Sequence, residues 1–294
     1  MSNATLDLAS LPLETPPILT FPQSIAFALV SGLTIEISCG GLITAASQYF
    51  QDGKASQTLV VMTVFNIIAI VYSSIVVWGV LLGADNCILG ELLAVVCAQL
   101  FFVTFDIFML MKTYAVSAFD RTVLIGCIGV GIYRVCWGIA DAVKSHGAWD
   151  ADLAICSYIQ HPVTGIGYNS ADIIVDTYST VVALAFNWKH LKTSLSQIRK
   201  VLIQENLLRS LIILAIDSFS IYAALVWTDQ FNILMAYLAQ NYMYTRCMNA
   251  ESVFKTIRKK ASSTMHGAKP SNSAPYRSVS KQSSQTHGEG SGQP

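Results

Sequence analysis

The sequence predicts an all-α integral membrane protein, a bundle of seven helices that cross the bilayer. Seven apolar stretches, each near the roughly 20 residues that a crossing helix needs, follow one another between residues 24 and 248. Charged residues make up only 12% of the chain, about half the share found in soluble domains, which is too little to coat a water-facing surface. Lys and Arg also alternate between successive loops, which is typical of a chain that crosses a membrane repeatedly.

The predicted crossing helices are residues 24–48, 58–82, 92–113, 122–143, 172–188, 208–227 and 231–248. The second is almost uninterrupted in its apolar character, whereas the fifth and seventh carry several polar groups. The chain therefore divides into an extracellular N-terminal tail, residues 1–23, a seven-span domain, residues 24–251, and a cytoplasmic tail, residues 252–294. Ser, Gly, Gln and Lys dominate that tail and cannot bury enough apolar area to order it, so we expect disorder from about residue 261 onward.

The distribution of basic residues predicts the orientation of the bundle. Residues 1–23 and the second and sixth loops contain no Lys or Arg. Most basic residues lie in the first, third and fifth loops and at the start of the tail: Lys54, Arg121, Lys189, Lys192, Arg199, Lys200, Lys255, Arg258, Lys259 and Lys260. Because cytoplasmic loops are enriched in positive charge, the N-terminus is expected outside and the C-terminus in the cytoplasm. The plasma membrane is the preferred location and an endomembrane the alternative, and the sequon at Asn3 is then a glycosylation candidate.

Three cysteines are candidates for covalent chemistry. Cys87 and Cys156 fall in outward loops, which are an oxidising setting, and a disulfide between them would pin the long fourth loop over the mouth of the bundle, as in many heptahelical receptors. The alternative is two free thiols. Cys247 lies at the inner edge of the last predicted helix, where palmitoylation and simple burial are equally plausible.

Ionisable residues within the predicted helices are the main candidates for a ligand or ion site. They are Glu36, Asp106, Arg134, Asp176 and Asp217, and each costs about 2.5–3.5 kcal/mol at a helix centre, so each is expected to face the bundle interior and a partner. The partner of Arg134 is expected to be Glu36, Asp106 or Asp217. A packing clasp between helices is the favoured hypothesis, and a ligand or ion site is the alternative. Because acids outnumber bases, one acid should be protonated or should bind a cation or cationic ligand.

Polar residues near the expected outward mouth form a second candidate site. Asp172 and Asp176 are four residues apart and so share one helix face, beside Tyr168 and Asn169. Two carboxylates there could collect a cationic ligand or a divalent ion. The favoured hypothesis is simpler, with Asp172 starting the fifth helix and Asp176 bonding a neighbour. Asn241 adds a neutral polar group in the seventh helix.

Several classes of enzyme are disfavoured by what the sequence lacks. The five histidines show no metal-ligand spacing within the predicted helices, and neither a Gly-x-Ser-x-Gly elbow nor a phosphate-binding loop is present. The last predicted helix contains no Lys that could hold retinal. We therefore expect no enzymatic activity, no cofactor and no metal, and the net charge of +0 gives no reason to expect nucleic acid.

The segments expected in the cytoplasm suggest regulation. Apolar residues recur near one stripe of residues 189–209, so this loop is predicted to be an amphipathic helix that extends the fifth and sixth helices inward. In the tail, Ser262 and Ser280 follow basic residues, as basic-directed kinases prefer, and are phosphorylation candidates.

Several short motifs stand in order along the second half of the chain: Cys156-Ser157-Tyr158-Ile159-Gln160, Gly165-Ile166-Gly167-Tyr168-Asn169, Asn187-Trp188, Glu205-Asn206-Leu207-Leu208-Arg209-Ser210 and Asn241-Tyr242-Met243-Tyr244-Thr245-Arg246-Cys247. With these motifs the chain resembles an uncharacterised family of fungal seven-span membrane proteins, over most of residues 24–251. The resemblance implies topology and no activity. Asp120-Arg121 is a poor match to the acidic-Arg pair of rhodopsin-like receptors, because Thr122 follows and the pair lies beyond the predicted helix end.

The preferred function is a receptor-like signalling protein embedded in the lipid bilayer. A small extracellular ligand would bind at the outward mouth, and a cytosolic signalling partner would meet the inner loops and the tail. A membrane transporter or channel for a small solute or cation is the alternative, suggested by the acids within the helices. A structural or scaffold protein of the membrane is a third hypothesis.

Overall fold

The computed structural model describes residues 20–79, 84–150, 155–191, 197–227 and 229–267. These residues form seven long helices: α1 (Phe21–Asp52), α2 (Gln57–Gly79), α3 (Cys87–Val116), α4 (Arg121–Lys144), α5 (Pro162–Leu191), α6 (Gln197–Val226) and α7 (Gln230–Gly267). A 3₁₀ turn, Ala84–Asn86, precedes α3, and a hairpin of strands β1 (His146–Asp150) and β2 (Ile155–Ile159) lies between α4 and α5. The all-α prediction is confirmed in its coarse form, with a hairpin that was not foreseen.

Four helices of the described chain, α1 to α4, are long and apolar enough to cross a membrane. Many of their large apolar side chains point outward, and Ile43 and Ile125 are each 72% exposed. Such a surface is unfavourable in water and suits contact with lipid. The protein is therefore membrane-embedded. Helices α5, α6 and α7 are at least as long as α2 but bury polar side chains such as Asp172, Asp217 and Gln240, which lower their average hydropathy.

The helices form a closed ring in which each packs on the next and α1 packs on α7. Helix α3 also contacts α5 and α6, so it runs through the middle of the bundle. Its aromatic side chains Phe101, Phe105 and Phe108 are buried in the largest hydrophobic cluster, which includes Tyr244 of α7. Residues of α3 contact both ends of the bundle and the buried charges between them.

The ends of the helices follow local chemistry. Gly53 ends α1 with a φ of +64°, a left-handed conformation that suits glycine. Asp120 caps the start of α4, since its carboxylate accepts hydrogen bonds from the backbone N–H of Thr122 at 2.8 Å and of Val123 at 3.4 Å. The Asp120-Arg121 pair thus begins a helix, which agrees with its poor match to the receptor motif.

Helix α7 extends well past its predicted end at residue 248, and past the expected domain boundary at 251, to Gly267. No Gly or Pro interrupts residues 230–266, and Asn249, Glu251 and Lys255 all contact other helices, which stabilises the extension. Ser262 lies within this helix, although its surroundings were expected to be disordered. Asn3 and Ser280 lie outside the described residues.

Helix α5 begins at Pro162, well before its predicted start at residue 172. Proline is favoured in the first turn of a helix, where its missing N–H costs nothing. The hairpin and the first turns of α5 therefore occupy the long fourth loop. The helical fifth loop was predicted correctly insofar as α5 reaches Leu191 and α6 begins at Gln197.

Candidate functional site: a buried cluster of carboxylates

Arg134 of α4 is the centre of the buried charges, and its side chain is only 1% exposed. Its Nε donates a hydrogen bond to Oδ1 of Asp172 and lies 3.2 Å from Oδ2 of Asp106, an ion pair without hydrogen-bond alignment. Its Nη1 donates to Oε1 of Gln99 at 3.3 Å. The guanidinium also lies 4.1 Å from the centroid of the Tyr168 ring, in cation–π geometry. Helices α3, α4 and α5 are thus joined at one point.

The structure corrects three predictions. Asp106 was among the expected partners of Arg134, but Asp172 was not. Asp172 does not start α5, because it lies well inside that helix and is 6% exposed. Glu36 is exposed on the outer face of α1 and does not join the buried charges, so its expected position in the bundle interior is wrong.

Gly138 explains how Gln99 reaches Arg134. It lies one helical turn beyond Arg134, and a Cβ at this position would lie 2.5 Å from Oε1 of Gln99 and 3.2 Å from Nη1 of Arg134. Any side chain would push the amide away. The glycine therefore permits close approach of α3 and α4.

Asp217 of α6 is held by α7. Its Oδ1 accepts hydrogen bonds from the Tyr244 hydroxyl at 2.5 Å and from Nε2 of Gln240 at 2.9 Å. Asp176 of α5 lies near the same carboxyl group. Two carboxylates this close repel each other, so their proximity favours a proton or a cation between them. Asn241, 3% exposed on α7, lies near the Tyr72 hydroxyl.

Acids outnumber bases in this cluster. Four buried aspartates, Asp106, Asp172, Asp176 and Asp217, accompany Arg134. Five buried oxygens of the cluster accept no hydrogen bond: Asp106 Oδ2, Asp176 Oδ1, Asp217 Oδ2, Gln240 Oε1 and Asn241 Oδ1. The cluster therefore has an excess of acceptors that protons or a donor-rich ligand could satisfy. No three His, Cys, Asp or Glu side chains of the described residues are grouped closely enough to hold a metal ion.

The hairpin covers one end of the bundle, hereafter the hairpin end. A disulfide joins Cys87, the first residue of α3, to Cys156 of β2 with a Cα–Cα distance of 5.4 Å, which is the pairing expected from the sequence. Asp141, near the end of α4, accepts hydrogen bonds from the hydroxyls of Tyr158 at 3.0 Å and Thr164 at 2.9 Å. It also accepts bonds from the side chains of Ser145 and Gln160. Strand β2 and the start of α5 are thus bound to α4 through one carboxylate.

Tyr158 is a neutral donor in this arrangement. Partial burial raises the pKa of its hydroxyl above the ordinary value of 10, and the nearby Asp141 carboxylate raises it further. The hydroxyl therefore keeps its proton at neutral pH and donates to Asp141.

The opposite end of the bundle, hereafter the basic end, is held by charges. Glu251 of α7 forms ion pairs with Lys112 of α3 and with Arg209 of α6, the latter at 3.2 Å. Both cations lie near the Phe108 ring, with Lys112 Nζ at 5.5 Å and Arg209 Cζ at 5.0 Å from its centroid. Cys247, one turn earlier on α7, is partly buried against the large hydrophobic cluster. Three helices therefore meet at one buried glutamate.

Sequence reasoning missed Asp141, Gln99 and Glu251 as organising residues. Asp141 had one available signal, an acid within the last turn of a predicted helix. Glu251 had none, because its partners lie 139 and 42 residues away along the chain. Only the packing of α3, α6 and α7 brings the three charges together.

A scan against protein-family models found no match, and a search of curated proteins found none either. Function must therefore be inferred from the arrangement of the side chains.

Proposed function

We propose that this chain is a receptor-like seven-span signalling protein without enzymatic activity. The observation that carries the proposal is the course of α3. This helix begins at the Cys87 disulfide, reaches the buried charges at Asp106, and binds Glu251 through Lys112 near its other end. At 1.5 Å per residue, Cys87 and Lys112 are about 38 Å apart along the helix axis. One helix thus connects the covered end, the charged core and the basic end.

The proposed topology has all seven helices in the bilayer, with the hairpin outside and the end of α7 in the cytoplasm. Helices α5 and α6 have 30 residues each, and about 20 suffice to cross the hydrocarbon core. Three of their aspartates, Asp172, Asp176 and Asp217, point into the bundle and are each at most 6% exposed. The resemblance to fungal seven-span proteins supports the same topology.

In this proposal, ligand binding is coupled to the basic end by the ion pairs of Arg134 and Glu251. A small ligand at the hairpin end would change how Arg134 divides its contacts between Asp106 and Asp172, because both acids share its Nε. A shift of α3 would then weaken the contacts of Lys112 with Glu251 and release the inner part of α6. A ligand can drive such a change only if it binds one arrangement better than the other.

Hydrogen exchange in nanodiscs tests this proposal without knowledge of the cytosolic partner. A broad library of small cationic and neutral ligands is added to the full chain, and exchange is measured by mass spectrometry. Binding at the hairpin end should increase exchange at the inner parts of α3 and α6, and Glu251→Gln should reproduce that increase without ligand. If no ligand changes exchange at the basic end, the receptor proposal fails.

Topology is tested separately with tags at both termini of the chain in intact cells. Antibody should reach the N-terminal tag without permeabilisation and the C-terminal tag only after it. Access to both tags from one face would exclude an odd number of crossings.

A transporter or channel for protons or a small cation is the second candidate. The specific observation that favours it is the Asp176–Asp217 contact with unsatisfied oxygens on both carboxyl groups. Proteoliposomes loaded with a pH-sensitive dye would show proton or sodium-coupled flux, and Asp217→Asn would abolish it. Absence of both flux and ligand response would leave a scaffold role.

A further inference from the structure

Glu36 is an exposed carboxyl group in the middle of α1, a helix long and apolar enough to cross the membrane. It is the only Asp, Glu, Lys, Arg or His between residues 15 and 51. At 1.5 Å per residue it lies about 22 Å from the start of α1 and about 24 Å from its end. Its side chain is too short to reach the surface of a hydrocarbon core about 30 Å thick. A carboxyl group at that depth is costly and calls for a partner.

The bundle offers no partner to this carboxyl group. At 100° per residue, the buried residues of α1 all lie within about 40° of the direction opposite Glu36. They are Phe27, Ser31, Thr34, Ser38, Gly41 and Ala45. Among the described residues, none forms a hydrogen bond or ion pair with Glu36. Any partner of this side chain therefore lies on the lipid side of α1.

Two glycines flank Glu36, one helical turn away on either side. A Cβ at Gly32 or Gly40 would meet nothing within 4 Å. Gly41, on the buried face, differs, because a Cβ there would lie 2.5 Å from Oδ1 of Asn249. Packing within the chain thus explains Gly41 but not the two outer glycines. Small residues beside a polar one allow two helix backbones to approach until side chains bond across the contact.

The rest of this face is apolar. Ile25, Leu29, Ile43 and Phe50 lie within about 40° of Glu36 around the helix and are 51–82% exposed. These side chains provide area for a second helix, but lipid tails cover such a surface equally well. The carboxyl group, rather than the apolar area, is therefore the feature that selects a protein partner over lipid.

We propose that α1 of one copy packs on α1 of a second copy of this chain, with the two Glu36 carboxyl groups hydrogen-bonded across the contact. Hydrocarbon disfavours the ionised form. The neutral acid is self-complementary, because it donates through its O–H and accepts through its C=O. A two-fold axis along the membrane normal places Glu36 at the same depth in both copies, so the second copy supplies the missing group by symmetry. The proposal rests on the membrane embedding of α1 and is independent of the receptor proposal.

Energy transfer between donor-labelled and acceptor-labelled copies of the full chain in phosphatidylcholine liposomes tests the proposal. Dilution with lipid should give a reversible dimerisation curve, and Glu36→Leu should weaken association tenfold or more. Glu36→Gln should retain most of it, because an amide also donates and accepts. Gly40→Leu should weaken association as strongly as Glu36→Leu. Gly129→Leu is the matched control and should have no effect, because a Cβ at this position of α4 also meets nothing within 4 Å.

Disulfide cross-linking locates the contact. The background is a chain with Cys39→Ser and Cys136→Ser, which removes the exposed free cysteines of the described residues. On oxidation in liposomes, Ile43→Cys should give a cross-linked dimer. Ile125→Cys on α4 should not, although Ile43 and Ile125 are each 72% exposed.

Three outcomes would overturn the proposal. Energy transfer that never exceeds the level of non-interacting proteins would show that the chain is a monomer. Equal association of Glu36→Leu and the unaltered chain, or equal losses in Glu36→Gln and Glu36→Leu, would show that no hydrogen bond of this side chain joins the copies. Cross-linking through Ile125→Cys alone would place the contact on α4. Circular dichroism checks the folding of each variant, and Gly32→Leu replaces Gly40→Leu if the latter does not fold.

Discussion

The two ends of the bundle are held together by different chemistry. At the hairpin end, a covalent disulfide and the neutral donors around Asp141 fasten β2 and α5 to α3 and α4. At the basic end, α3, α6 and α7 meet through the ion pairs of Glu251 with Lys112 and Arg209. A disulfide allows no exchange of partners, whereas one carboxylate shared by two cations can favour either.

This difference indicates which end can move. Neutral hydrogen bonds to a single carboxylate, added to a covalent bond, define one arrangement. Shared ion pairs allow at least two arrangements, because Glu251 can remain paired with Lys112 after its ion pair with Arg209 breaks, or the reverse. If the bundle changes conformation, we expect the change at the basic end, with the hairpin end as the fixed reference. Five variants, one of them studied as a function of alkaline pH, test this contrast.

Glu251→Gln should have the largest effect on stability. It replaces the carboxylate that Lys112 and Arg209 share with a neutral amide, and loss of one partner from a buried ion pair typically costs about 3–5 kcal/mol. Unfolding in detergent, followed by circular dichroism, measures this loss. A change below about 1 kcal/mol would show that water or other groups already compensate both cations.

Replacing both Cys87 and Cys156 with Ser should have the next largest effect. A disulfide of this kind stabilises by about 2–4 kcal/mol, chiefly by restricting the unfolded chain. Hydrogen exchange should increase in β1, β2 and the start of α5, while exchange around Glu251 should stay unchanged. Equal increases at both ends would contradict the view that the ends are held separately.

Asp141→Asn should destabilise the hairpin end without breaking the disulfide. The amide cannot accept from the hydroxyls of Tyr158 and Thr164 as strongly as a carboxylate does, and leaving buried donors poorly paired costs about 1–3 kcal/mol. Thermal unfolding measures the cost. The effect should persist in 1 M salt, because the donors are neutral.

The raised pKa of Tyr158 predicts that the stability of the folded protein decreases at alkaline pH. Because its pKa is raised above 10 in the folded protein, the folded state holds the proton more tightly than the unfolded state. Its contribution is therefore fully present below pH 10 and is lost as the pH rises through the folded value. Tyr158→Phe should flatten this alkaline decline in unfolding experiments, and an identical decline would show that other groups cause it.

Lys255→Ala should have the smallest effect and serves as the control for Glu251→Gln. Lys255 lies on the same helix, one turn further, but its ion pair with Asp52 is at the surface, with the two side chains 29% and 34% exposed. Exposed pairs contribute about 0–1 kcal/mol and are screened by salt. A loss of stability as large as that caused by Glu251→Gln would mean that burial does not make one ion pair more stabilising than the other.

Sequence reasoning was most successful where a single helix carries the signal. Helices α1 to α4 were foreseen because their apolar runs are long, and the Cys87–Cys156 pairing followed from the position of the two cysteines in the loops. The start of α5 and the end of α7 were placed wrongly. Pro162 begins α5 where loop residues were expected, and Glu251 and Lys255 stabilise α7 beyond its apolar run through contacts with other helices.

Composition and periodicity alone determined that this chain is helical, is embedded in lipid and has more acids than bases within its helices. These properties depend only on the residue types along each helix. The tertiary structure alone decided that Arg134 binds Asp172 together with Asp106, that Glu36 lies outside the charged cluster, and that Glu251 joins three helices. Which face of a helix meets which neighbour depends on the packing of the whole bundle, and no local pattern encodes it.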